Sequence, residues 1–111
     1  MAQTALNNFK TVTLEVTSSE QTVYTAPTGY TSIVLYAHIT NIGSTTETVT
    51  VSHKRSSTST EIAKAVAVPP NDAFVPMDGK LVLETSDSVA ISASANSTFK
   101  LILSILETAN A

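Results

Sequence analysis

Two histidines, His38 and His53, are the residues of this chain best suited to proton transfer or metal binding at neutral pH. His38 alternates with Tyr36 and Thr40, which puts it on one polar side of an extended segment. His53 stands directly before Lys54 and Arg55. Neither has a His or Cys neighbour at metal-ligand spacing, and no nucleophile and orienting carboxylate stand beside either one as general acid–base work requires. Both are read as structural or solvated. Asp72, Asp78, Glu84 and Asp87 cluster around turns, but their spacing matches no calcium loop, and paired-carboxylate glycoside chemistry usually needs a larger cleft. The chain contains no Cys, which removes thiolate nucleophiles, cysteine zinc sites and disulfides together. No metal, cofactor or catalytic residue is therefore expected, and the chain is read as a non-enzyme.

Other candidate contacts are weak. His53-Lys54-Arg55 is a lone basic triplet in a chain of net charge −3, so a nucleic-acid backbone is not an expected partner. Asn96-Ser97-Thr98 fits a glycosylation triplet, although Asn at a turn explains it equally well. Tyr24, Tyr30 and Tyr36 could stack on sugar rings in a carbohydrate-binding module. Against this, aromatic residues make up 5% of the chain and Trp is absent.

The elements that would hold these residues are strands. The 111 residues suffice for one domain with a real core. Charged residues make up only 14%, and polarity rests on Ser and Thr, roughly three residues in ten. Hydroxyl side chains suit solvated sheet faces. No stretch reaches the ~18 apolar residues of a membrane span, and MAQTALNNFK lacks a signal-peptide pattern. Residues 1–9 are read as a polar arm and 10–111 as one domain.

Alternation with period two runs along almost the whole chain. In TVTLEV (11–16), Val12, Leu14 and Val16 share a face. QTVYT (21–25) ends at a turn marked by Pro27 and Gly29. In TSIVLYAHITN (31–41), Ile33, Leu35, Ala37 and Ile39 fall on one side; Val34, Tyr36, His38 and Thr40 fall on the other. TVTVSHK (48–54) points Val49 and Val51 inward, RSSTST (55–60) is a polar loop, and EIAKAVAV (61–68) is a strand stopped by Pro69-Pro70. Residues 73–84 form a hairpin through a type I′ turn at Asp78-Gly79, with Pro76 marking a short or edge strand. SVAISASA (88–95) and FKLILSILE (99–107) complete the series. This pattern predicts an all-β fold: an antiparallel β-sandwich, jelly-roll or Ig-like, of about eight short strands.

The last strand is apolar on both sides, with Phe99, Leu101, Leu103 and Ile105 on one face and Ile102 and Leu106 on the other. Leaving two such side chains wet forfeits on the order of 3–6 kcal/mol relative to burying them. A cover is expected, either a partner or the chain's own arm.

YTAPTGYTSIVLYAHITN (24–41), MDGKLVLETSDSVAISASA (77–95) and FKLILSILE (99–107) together resemble a type of small virion structural protein from tailed bacteriophages, particularly those of cyanobacteria and marine bacteria. The resemblance spans about residues 20–107. It implies a β-sandwich built into the particle, as a capsid decoration (cement) protein or an accessory neck or tail piece. It carries no catalytic residues. It also implies a homo-oligomer, with a trimer favoured, whose partners are the major capsid protein or other virion proteins. Location would be the virion, assembled in the host cytoplasm, without nucleic acid or membrane as a partner. The expected contact residues on this reading are Phe99, Ile102, Leu106, Val34 and Tyr36.

Overall fold

Dense Val, Ile and Thr stiffen the backbone toward extended conformations, and the few breakers decide where the chain turns. The computed structural model describes residues 7–77 and 79–110. Its strands are β1 (Asn7–Glu15), β2 (Gln21–Thr25), β3 (Tyr30–Asn41), β4 (Glu47–Arg55), β5 (Thr58–Val68), β6 (Ala73–Phe74), β7 (Leu81–Leu83), β8 (Ser88–Ala93) and β9 (Phe99–Ala109). Among the described residues there is no helix long and apolar enough to cross a membrane.

Two antiparallel sheets pack face to face. The first has the order β1-β9-β3, with β6 and β7 both along the far side of β3; the second has the order β2-β8-β4-β5. Every connection but two crosses from one sheet to the other. The exceptions are the β4–β5 turn and the link from β6 to β7. The pairs β1–β9, β2–β8, β3–β6/β7 and β4–β5 are all hydrogen-bonded and antiparallel. The chain is thus one long antiparallel ribbon with its tip at Ser56-Ser57, rolled up on itself, which is the jelly-roll wiring. Between the sheets lies a core led by Phe99, Ile39, Leu83, Ile91, Leu103, Ile105, Val16, Val34 and Val49.

Local turn chemistry matches the text at several points. Tyr30 N–H donates to the Pro27 carbonyl at 3.1 Å, and Gly29 sits at φ 83°. That positive φ at the third position is what a type II turn demands of its glycine. Val12, Leu14, Val16, Val49 and Val51 all face the core as their alternation predicts. The polar stretch 55–60 is shorter than expected. Ser56 takes φ 56°, which closes the turn within two residues and starts β5 at Thr58.

Three expectations are corrected. Residues 73–84 are not a hairpin. β6 pairs Phe74 with Ile39 and β7 pairs Val82 with Ile33, both antiparallel to β3, so they are two pieces of one interrupted edge strand. Residues 75–77, 79 and 80 make no ladder pair with β3; Pro76 among them has no N–H to give a ladder. The turn residue Asp78 lies outside the described residues. Next, β1 begins at Asn7, so residues 7–9 pair with β9 instead of forming an arm; residues 1–6 lie outside the description.

The third correction concerns β3. Val34 pairs with Ile105 while Tyr36 pairs with Ser104, leaving Leu35 as an extra residue in a β-bulge. A one-residue insertion exchanges the two faces of everything beyond it. Ser32 and Val34 are therefore buried before the bulge, and Ala37, Ile39 and Asn41 after it.

Candidate functional site

The outer face of the β1–β9–β3–β7 sheet is built by register. Phe9 pairs with Leu106, Leu106 with Ile33, and Ile33 with Val82. Cross-strand neighbours in register point the same way, so these four form an apolar row crossing four strands. Phe9 is 73% exposed and Val82 52%. Leu35, pushed out by the bulge, lines a shallow depression with Phe9, Thr11 and Ser104. One step along are Thr11, Ser104 and Tyr36, then Thr13, Ile102 and His38, then Glu15, Lys100 and Thr40. These last two rows border a second, open depression. Tyr36 and His38 pack edge to face, and the Tyr36 hydroxyl lies 2.6 Å from His38 Nδ1. Across the centre of this face the side chains are apolar, aromatic or hydroxylated, and its charges stand at one end.

Of the five expected contact residues, Ile102, Leu106 and Tyr36 lie together on this face. Phe99 and Val34 do not: each is 0% exposed, in the core. Phe99 shares the inward parity of Leu101 and Leu103, and the bulge turns Val34 inward. Phe9, Ile33 and Val82 were missed. Their strands are remote in sequence, and only ladder register unites them.

Away from this face, two buried carboxylates fasten the sandwich. Asp87 is 2% exposed. It accepts hydrogen bonds from Arg55 Nε at 2.9 Å and Nη2 at 2.7 Å, and from the Glu84 N–H at 3.0 Å, with His53 Nε2 at 3.2 Å. Hydrogen bonding from Arg55 is the main influence, and it holds the Asp87 carboxyl far below the usual carboxylate range despite burial. His53 and Arg55 of the basic triplet thus clamp β4 to the β7–β8 turn, while Lys54 Nζ reaches Glu20 at 2.8 Å. Residues this far apart in the text carried no signal of it. His53 and Asp87 resemble two members of a catalytic triad, but no hydroxyl among the described residues hydrogen-bonds His53 to complete one, and Arg55 saturates the carboxylate.

Glu107, 4% exposed, accepts from the Tyr24 hydroxyl, from Asn8 Nδ2 at 3.3 Å and from Lys10 Nζ at 3.3 Å. Burial by itself raises this carboxyl; the bonds from Tyr24, Lys10 and Asn8 outweigh it and bring it below its ordinary value. Burial, then the Glu107 hydrogen bond, pushes the Tyr24 phenol up to about 12. This ties β2 of one sheet to β1 and β9 of the other. Among the described residues, no group of three or more His, Cys, Asp or Glu side chains converges on a metal position.

No protein-family model matches the chain, and no curated protein matches its sequence. Solved structures share its fold. A chain from Bacillus endospore appendages, a family of disulfide-linked pili, superimposes with a TM-score of 0.58 at 9% identity, covering 100% of this chain and 98% of that one. A chain of the acid-stable capsid of Helicobacter pylori bacteriophage KHP30 gives 0.58 at 9% identity, covering 96% and 90%. The nucleoplasmin-like N-terminal domain of Drosophila FKBP39 gives 0.50 at 11% identity, covering 99% and 98%. At such identities the likeness is one of architecture alone: the chain shares a two-sheet antiparallel β-sandwich with these proteins.

Proposed function

We propose that this chain is a non-enzymatic structural subunit of a phage particle, and specifically a capsid decoration protein that stabilises the shell by bridging neighbouring subunits. The observation that carries this reading is the Phe9–Leu106–Ile33–Val82 row, an apolar line on the outer side of a sheet, exposed at Phe9 and Val82 and half-buried at Leu106 and Ile33. Covering Phe9, Val82, Tyr36 and Ile102, which are 73%, 52%, 46% and 40% exposed, is worth on the order of 4 kcal/mol. That is a sizeable share of the stability of a small domain. The sequence resemblance to phage virion proteins and the architecture shared with a phage capsid chain support the same reading. On this reading the partner under the face is the major capsid protein, and the location is the virion, assembled in the host cytoplasm.

Cryo-microscopy of the phage particle that carries this chain tests it. The expected result is density for the jelly roll on the shell, in hundreds of copies, with Phe9, Ile102 and Leu106 against the neighbouring protein. About a dozen copies at the neck or tail would move the subunit off the shell. Finding this face open to solvent in every copy would overturn the proposed contact.

A further inference from the structure

Four strand edges bound the two sheets: β1 and β6/β7 in one, β2 and β5 in the other. Open edges invite pairing with another chain, and folded proteins usually blunt them. Three edges here are blunted. The β6/β7 edge is broken in two. β2 is five residues long and loses register between Thr22 and Tyr24. β5 loses register twice and carries Ala65 at φ 50°, with Lys64 beside it. β1 differs from all of these. Its nine residues pair with β9 without a single register shift, and it contains no Pro.

The free side of β1 can be assigned from hydrogen-bond parity. Val16 N–H donates to the Phe99 carbonyl at 2.9 Å, continuing the β1–β9 register. In an antiparallel ladder the bonded residues alternate. Leu14, Val12, Lys10 and Asn8 therefore use their backbone groups on β9. Asn7, Phe9, Thr11, Thr13 and Glu15 direct theirs away from the sheet. Outside the ladder, no hydrogen bond among the described residues engages the backbone of these five. Residues 7–11 are also all exposed.

We infer that β1 is a pairing edge whose occupant is β1 of a second copy, antiparallel about a two-fold axis through Thr11. A two-fold contact uses one patch on both partners and needs only that the patch match itself reversed. This one does. Centred on Thr11, Phe9 faces Thr13 of the partner subunit, and Asn7 faces Glu15 of the partner subunit, so no like charges meet. Every pair joins residues whose N–H and C=O groups have no partner among the described residues, and the two sheets become one continuous sheet. Centring on Lys10 instead would set two ammonium groups side by side. The inference is independent of where on a particle the protein sits. It also adds to the assembly face, because the Val82–Ile33–Leu106–Phe9 row would run on into Thr13, Ile102 and His38 of the partner subunit. A trimer, the form the family resemblance implies, cannot close on this contact, since an isologous pairing relates two copies only.

The test uses the full chain, with light scattering during size-exclusion chromatography at tens of micromolar. A dimer mass is expected for the native chain. Thr11→Pro removes an N–H that points away from β9, a position where an edge strand tolerates proline. It should raise the dissociation constant at least about tenfold while far-UV circular dichroism and cooperative melting persist. Independently, Thr11→Cys adds a lone thiol to a cysteine-free chain. A short bis-maleimide should link it into dimers far faster than the same cysteine placed at exposed Thr60 of β5. A monomer or trimer mass for the native chain, an undiminished dimer in folded Thr11→Pro, or equal cross-linking at both positions would overturn the inference. Self-cover of the edge by residues 1–6 would read out as that monomer.

Discussion

Val34 and Tyr36 are two residues apart, and simple alternation puts them on the same side of β3; the bulge at Leu35 puts them on opposite sides. Truncating each to alanine turns that difference into a measurement. Val34 is 0% exposed. Val34→Ala removes two methylene equivalents, worth about 1.6 kcal/mol in transfer free energy. A residual cavity of about 40 Å³, at about 24 cal/mol per Å³, adds about 1 kcal/mol. The expected loss is therefore about 2.5 kcal/mol, or about 10 °C in melting temperature for a domain of this size. Tyr36 is 46% exposed and its hydroxyl meets only His38 among the described residues. Tyr36→Ala should cost at most about 1 kcal/mol, lost strand propensity included. Urea unfolding in the Thr11→Pro background, dilute enough to keep the chain monomeric, followed by circular dichroism and with the m-value checked for constancy, gives both numbers. A Tyr36→Ala loss equal to or larger than that of Val34→Ala would refute the bulge, and with it the outer face as drawn.

The Asp87 clamp makes stability depend on acid. Its carboxyl titrates lower in the folded chain than the ~3.9 of an unfolded aspartate. The stabilisation is then complete above the unfolded value and is lost as pH falls through the folded one. Melting temperature of the native chain should drop steeply below about pH 4, whereas Asp87→Asn should melt about 5 °C or more lower at pH 7 and show a shallower acid slope; parallel pH profiles would refute the clamp. At the alkaline end, ultraviolet titration should find one of the three tyrosines ionising near pH 12, and that step should vanish in Tyr24→Phe. Because that pKa is raised on folding, its contribution is full below pH ~10 and disappears as pH rises through about 12. A titration in which no tyrosine step near pH 12 is lost in Tyr24→Phe would mean that Tyr24 is not held, buried and bonded to Glu107, as described.

Much of the architecture is legible in residue order, because β-structure writes a period of two wherever one face is buried. Val12, Leu14, Val49 and Val51 face inward as their alternation says, and Pro27-Thr28-Gly29 turns where its chemistry requires. Ile102 and Leu106 were legible as outward apolar residues for the same reason. Alternation fails at Leu35, where one inserted residue changes parity without altering composition, and so Val34 was read on the wrong side. It fails again at 73–84, where Asp-Gly between apolar runs predicts a hairpin but both runs pair with β3 instead. Local text holds turn preferences and faces; it holds no record of which strand lies beside which. The row of Phe9, Leu106, Ile33 and Val82, the Arg55–Asp87 clamp and the clean edge of β1 all depend on pairing between residues far apart along the chain. Those pairings serve to bury both sheets' inner faces at once, a global condition that the rolled-up ribbon satisfies and that no local stretch records.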